Sequence, residues 1–227
     1  MSQIDQIRAR SGDYSSSDVG ASSVNKVLKN TYMLLSMTLA FSGVVAWASM
    51  VTGFGMAYYW PLVIAMFVSL FAIRFTAKSA WGLVMVFVFT GLMGATIGPL
   101  LSIYLAMSNG PTIVMQAMGG TAVIFLSLSA YALVSKKDFS FMGGFLFVGL
   151  IVAVLAMVLN IFLRIPALDL ALSAVIILIM SGFILFDTSR IIRGGETNYI
   201  MATVSLYLNI VNIFVSLLRI LGAGGDD

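Results

Sequence analysis

The sequence predicts an all-α membrane protein with seven transmembrane helices, and three observations predict it. Of the 227 residues, 60% are hydrophobic and only 9% are charged, at a mean hydropathy of +1.06. A soluble domain carries roughly a quarter charged residues, so most of this surface has to face lipid. Seven apolar stretches are also long enough to cross a hydrocarbon core of about 30 Å. Finally, Lys and Arg fall on alternate connections between those stretches, as a membrane topology requires.

The stretches cover residues 31–52, 56–73, 81–105, 112–134, 139–163, 169–188 and 199–220. In lipid each must satisfy its own backbone hydrogen bonds, so each is expected to be a helix. Short connections make consecutive helices antiparallel neighbours. Arg8, Arg10, Lys26 and Lys29 precede the first span. Arg74 and Lys78 follow the second, Lys136 and Lys137 the fourth, and Arg190 and Arg193 the sixth. Ten of the 12 basic residues therefore lie on one side, leaving Arg164 and Arg219 on the other. By the positive-inside rule the N-terminus is expected in the cytoplasm and the C-terminus outside. Residues 1–30 are polar and Ser-rich. They lack the apolar core and small-residue cleavage site of a removable signal, and are expected to form a flexible cytoplasmic tail. Residues 31–221 form the membrane domain, and 222–227 a short external tail.

Composition excludes several chemistries. Neither Cys nor His is present, which removes disulfides, thiol and imidazole chemistry and the common zinc and haem sites. No cofactor is expected. The net charge of +3, spread over separate loops, points to no nucleic acid. Any response to pH near neutrality has to come from a carboxylate or lysine in an unusual setting.

Polar residues inside the spans carry the functional signal. In the seventh span, Asn198, Ala202, Ser205, Asn209, Asn212, Ser216 and Arg219 recur at steps of three and four, which places them on one helical face. Unpaired amides facing acyl chains are costly, so this stripe must face other helices or a wet cavity. It can serve interhelical packing, at under about 1 kcal/mol per contact, or a path for a substrate or ion. Thr31, Thr38, Ser42 and Ser49 repeat the pattern more weakly in the first span. In the third span, "GLMGATIGPL" at 91–100 offers Gly91, Gly94 and Gly98 for close approach, and Pro99 removes a backbone hydrogen bond. The "GGET" at 194–197 lacks the Lys-Ser/Thr of a phosphate loop and reads as a tight turn.

The sixth span ends in "SGFILFDTSRII". Asp187 closes a run of uncharged residues, and Arg190 follows one turn later. Either Asp187 is an interfacial carboxylate paired with Arg190 or Arg193, or it turns inward to the stripe of the seventh span. Inward, loss of water favours its neutral form while a nearby arginine favours its charged form. Such a pair is a candidate proton-operated latch, with Arg74, at similar depth, as candidate donor. No second carboxylate faces Asp187 at membrane depth and no Ser has an evident base, so an enzyme such as an intramembrane hydrolase is not expected.

"ILFDTSRII", "GGETNYI" and "ATVSLYLNIVNIFVSLLRILG" resemble the closing helices of the Bax inhibitor family. "KVLKNTYMLLSMTLAFS", "MGGTAVIFLSLSAY" and "KKDFSFMGGFL" are similar to its bacterial YccA-like branch. The resemblance implies seven spans with the last one central and wrapped by the other six. It also implies two activities. Some members act as pH-sensitive calcium leaks, sensed by two aspartates and an arginine of the second helix. Asp187 matches the first aspartate and Arg74 the arginine, but Asn209 stands where the second aspartate falls. Two close carboxylates split their titrations, and an amide cannot titrate. The YccA-like branch resembles substrates and modulators of FtsH, the membrane-anchored ATP-dependent protease of the bacterial inner membrane. The leading expectation is therefore a non-enzymatic inner-membrane modulator of FtsH, with the bilayer and that protease as partners. The alternative is a pH-regulated calcium or cation leak channel gated by Asp187. The polar core site expected in either case comprises Asp187, Arg74, Asn209, Asn212 and Arg190, with Ser205 and Ser216 on the stripe.

Overall fold

The computed structural model describes the backbone of residues 3–224 and the side chains of 22–224. The order is α1 (Gln3–Thr52), α2 (Phe54–Ala57), α3 (Tyr59–Thr76), α4 (Trp81–Leu105), α5 (Gly110–Ser135), α6 (Met142–Leu163), α7 (Pro166–Ile192) and α8 (Tyr199–Ala223). No strand occurs among the described residues. All but the single turn α2 are long and apolar enough to cross a membrane, the first over Ser22–Thr52. The seventh span of the sequence is thus α8 and the sixth is α7. The α1 backbone continues through the stretch read as a polar tail. The side chains before Ser22, and residues 225–227 of the stretch read as an external tail, lie outside the described ones.

Local chemistry explains the ends. Pro111 and Pro166 sit in the first turns of α5 and α7, where a missing N–H costs nothing. Asn198 caps α8, its side-chain oxygen accepting from the Ile200 and Met201 amides as an N-cap should. Its Nδ2 also donates to the Ala77 carbonyl at 2.9 Å, so the start of α8 is tied to the end of α3. At the α6–α7 corner, Arg164 takes a left-handed φ of 54°. The Asn160 side chain holds that turn by bonding both the N–H and the carbonyl of Ile165.

Two layers follow from the packing. α8 contacts α1, α4, α5 and α7, while α3 packs on α4 and α6 packs on α7. Half of the α8 span is buried, against 11% of the α6 span, so α8 is the most buried of the seven spans and α6 the least. The picture of one helix wrapped by six takes a narrower form here, because α3 and α6 pack on α4 and α7.

The tightest seam joins α1 to α4. Cβ atoms added at Gly94 or Gly98 would strike the Ser42 carbonyl or the Ala46 carbonyl and Ser49 of α1. Pro99 lies within the unbroken helix α4 and deprives the Ala95 carbonyl of its partner four residues on. Ser49 Oγ donates to that carbonyl at 2.7 Å. The neighbouring helix thus supplies the bond that proline removes, as lipid-buried backbone demands.

Candidate functional site

The site lies where the end of α7 meets the middle of α8. Asp187 is 8% exposed and turns inward. Ser205 Oγ donates to its Oδ2 at 2.6 Å and Asn209 Nδ2 donates to the same oxygen at 2.8 Å. The two donors are one helical turn apart on α8, so a single face of that helix presents both. With one Asn209 N–H committed to a carboxylate, the orientation of its amide follows from the chemistry of the bond. The stripe and the inward acid are therefore brought together.

The arginines are placed elsewhere. Arg190 Nη2 reaches Glu196 Oε2 at 3.5 Å and the Gly195 carbonyl at 3.4 Å, and its guanidinium stacks over Phe186 at 5.5 Å. It fastens the α7–α8 turn and forms no ion pair with Asp187. Arg193 Nη2 pairs with Asp138 Oδ2 at 3.1 Å. The Asp138 carboxyl lies below the usual carboxylate range, chiefly through its hydrogen bonds with Ser140 and then through Arg193. Arg74 is exposed in the last turn of α3, a helix packed on α4. It forms no ion pair with Asp187 among the described residues, so the latch pair is not assembled in this conformation.

The remaining stripe residues line a groove of about 430 Å³ between α6 and α8, floored by α7. Ser205, Asn209, Asn212, Ser216 and Arg219 form its polar wall, and Leu150, Val154 and Met157 of α6 form the apolar wall opposite. Asn212 Nδ2 donates to the Leu208 carbonyl of its own helix at 2.8 Å. Arg219 closes the far end, 3.6 Å from Asp169. Among the described residues no three acidic or other metal-ligating side chains converge, and no second carboxylate faces Asp187.

Sequence reasoning missed the other polar core. Tyr207 is fully buried. Its hydroxyl lies 2.6 Å from Ser42 Oγ and donates to the Thr90 carbonyl at 3.4 Å, while its ring meets Phe89 edge-on at 5.9 Å. Thr203 Oγ1 reaches the Thr31 carbonyl at 3.3 Å. One signal was available: the Thr31, Thr38, Ser42, Ser49 row on α1 needs a polar counterpart. Ser189 Oγ was likewise missed. It accepts from the Phe139 amide and donates to the Lys137 carbonyl, pinning the α5–α6 loop to α7.

Comparisons with known proteins agree along nearly the whole chain. The family model described as "Inhibitor of apoptosis-promoting Bax1" matches residues 24–226. An uncharacterized membrane protein of Vibrio cholerae is 55% identical over 199 residues, covering 87% of this chain and 89% of that one. The Escherichia coli K12 protein named "Modulator of FtsH protease YccA" is 52% identical over 205 residues, 90% of this chain and 93% of that one. An uncharacterized Campylobacter jejuni protein is 39% identical over 97% of both chains.

Proposed function

The chain belongs to the Bax inhibitor family, and from that premise we propose that it is an inner-membrane protein that binds and modulates the membrane-anchored protease FtsH. The observation that carries this reading is the 52% identity, over nine-tenths of each chain, to the relative named a modulator of that protease. A second Escherichia coli relative at the same identity is named an inner membrane protein. The role needs no catalysis by this chain. In this reading the N-terminus is cytoplasmic and residues 1 to about 25 are the polar handle an ATP-dependent protease grips. α1 then leads from that handle straight into the interlocked α1–α4–α8 core. A substrate that is gripped readily but extracted slowly occupies the protease and limits its action on others. Deleting residues 2–25 should abolish turnover of this protein by FtsH, measured as its half-life after synthesis is stopped. An unchanged half-life would remove the handle from the argument.

The inward setting of Asp187 supports a second reading, a proton-regulated calcium or cation leak. Its donors are neutral, no second carboxylate joins it, and Arg74 stands apart, so this reading lacks the partners of a latch. Purified protein in liposomes loaded with a calcium dye tests it. A pH-dependent flux that disappears in Asp187→Asn supports the leak, and no flux at any pH between 5 and 8 counts against it.

A further inference from the structure

We infer that the turn joining α1 to α3, residues 53–60, is an anchor in the lipid interface. It lies below the membrane surface, with its aromatic side chains among headgroups and upper acyl chains instead of in water.

Composition is the first reason. No charged residue occurs between Lys29 and Arg74, and the turn itself reads Gly-Phe-Gly-Met-Ala-Tyr-Tyr-Trp. A connection that runs through water is polar. Here Phe54, Met56, Tyr58, Tyr59 and Trp60 are exposed, Trp60 to 73%, and Trp47 of α1 joins them. Tyr and Trp combine an apolar body with a polar tip, which suits the boundary between acyl chains and headgroups.

Depth is the second reason. A Cβ added at Gly55 would strike Ser49 Oγ, the Ala95 carbonyl and Pro99 Cδ, so α2 is tucked into the α1–α4 seam at the level of Pro99. From Pro99, α4 continues to Leu105, about 9 Å further at 1.5 Å per residue. That last stretch reads Leu-Leu-Ser-Ile-Tyr-Leu, and Ile103 is exposed on it. An apolar helix end that still faces lipid places the membrane surface beyond the turn.

The backbone permits this setting. A connection can leave water only where its amides are bonded. The Phe54 amide donates to Thr52 Oγ1 at 3.4 Å. The Met56 and Ala57 amides donate to the Gly53 carbonyl at 3.1 Å, and the Tyr58 amide to the Phe54 carbonyl at 3.0 Å.

Lipid fits better than a protein partner because the exposed rings are spread over α1, α2 and α3. A fluid interface covers side chains carried by several elements. With no charge in the turn, headgroup charge should not matter.

The chain has no Cys and three Trp, so site-specific probes are simple to place. The purified protein in phosphatidylcholine liposomes is the test system. Met56→Cys should react with a membrane-impermeant maleimide at least tenfold more slowly than Ser108→Cys. Ser108 is exposed in the α4–α5 connection on the same side, and the two thiols should react equally once dodecyl sulfate has unfolded the chain. Replacing the phosphatidylcholine by anionic lipid should leave the ratio unchanged. A variant that keeps only Trp60, with Trp47→Phe and Trp81→Phe, should lose at least half its fluorescence to lipids brominated near the headgroup end of the chain. Bromines at the chain end should quench it less. Equal labelling at positions 56 and 108 in liposomes, or an unquenched Trp60, would overturn the proposal. Protection in native membranes that vanishes in liposomes of the purified chain would assign the turn to a protein partner and overturn it as well.

Discussion

Replacing Ser49 by Ala should cost this protein more than an ordinary hydroxyl deletion, because of Pro99. Ser49 Oγ is the donor to the Ala95 carbonyl, and the residue that would otherwise donate to it is a proline. Interhelical hydrogen bonds in membrane proteins average about 0.6 kcal/mol and reach about 1.7 kcal/mol. An acceptor with no alternative belongs at the upper end, so Ser49→Ala should destabilise by about 1.5 kcal/mol, roughly a tenfold change in the unfolding equilibrium. In a Pro99→Ala background the new amide can bond Ala95, and the same substitution should cost about 0.5 kcal/mol or less. The double-mutant cycle therefore predicts a coupling near 1 kcal/mol. Equilibrium unfolding in mixed micelles with increasing dodecyl sulfate, followed by helix signal, measures all four corners. Equal costs in the two backgrounds would refute the claim that the serine repairs the bond proline removes.

Other substitutions test neighbouring parts of the structure. Gly98→Ala places a methyl 2.7 Å from Ser49 Cβ and 2.8 Å from the Ala46 carbonyl. It should cost about 1–3 kcal/mol, whereas Gly119→Ala, with nothing within 4 Å, should be neutral or stabilise by up to about 1 kcal/mol; both are read in the same unfolding assay. At Asp187, Asn keeps an oxygen for Ser205 and Asn209, so Asp187→Asn should cost less than Asp187→Leu. Leucine strands both donors, at about 1–3 kcal/mol in total, and equal losses would show that shape rather than hydrogen bonding decides. Because the Asp138 carboxyl is held below its ordinary range, its contribution is full above the unfolded-state value. That contribution is lost as pH falls through the folded one. Wild type should therefore melt above Asp138→Asn at pH 6, and the two should converge toward pH 3. A constant gap would remove the carboxylate as the cause.

How much was legible follows from which interactions are periodic along the chain. All seven spans were, because lipid imposes a length and a composition on each. The second was displaced by three residues, 56–73 against Tyr59–Thr76. Gly53 adopts a φ of 69° and starts the extra turn α2, and Arg74 lies inside the helix end, where its stem can extend toward the polar layer. The inward face of the α8 stripe was legible because polar groups in lipid must turn from the acyl chains, whereas the sequence left Asp187 open between an interfacial and an inward setting, and only the packing of α7 on α8 decides between them. The separation of Arg74 was not, because matching depth does not reveal that α3 packs on α4. Tyr207 was hidden for a different reason. Its ring reads as apolar bulk, and its hydroxyl became meaningful only once α1 and α4 were seen on either side.

The polar groups of α8 divide into two sets with opposite consequences. On the side of α1 and α4, Tyr207 and Thr203 find protein partners within the bundle, and the Gly94–Gly98 face lets the backbones close. On the side of α6, Ser205 and Asn209 hold Asp187 in place, and Asn212 lines the groove beside them. Under the modulator reading the closed side meets one requirement of such a protein, because it resists extraction once α1 is pulled.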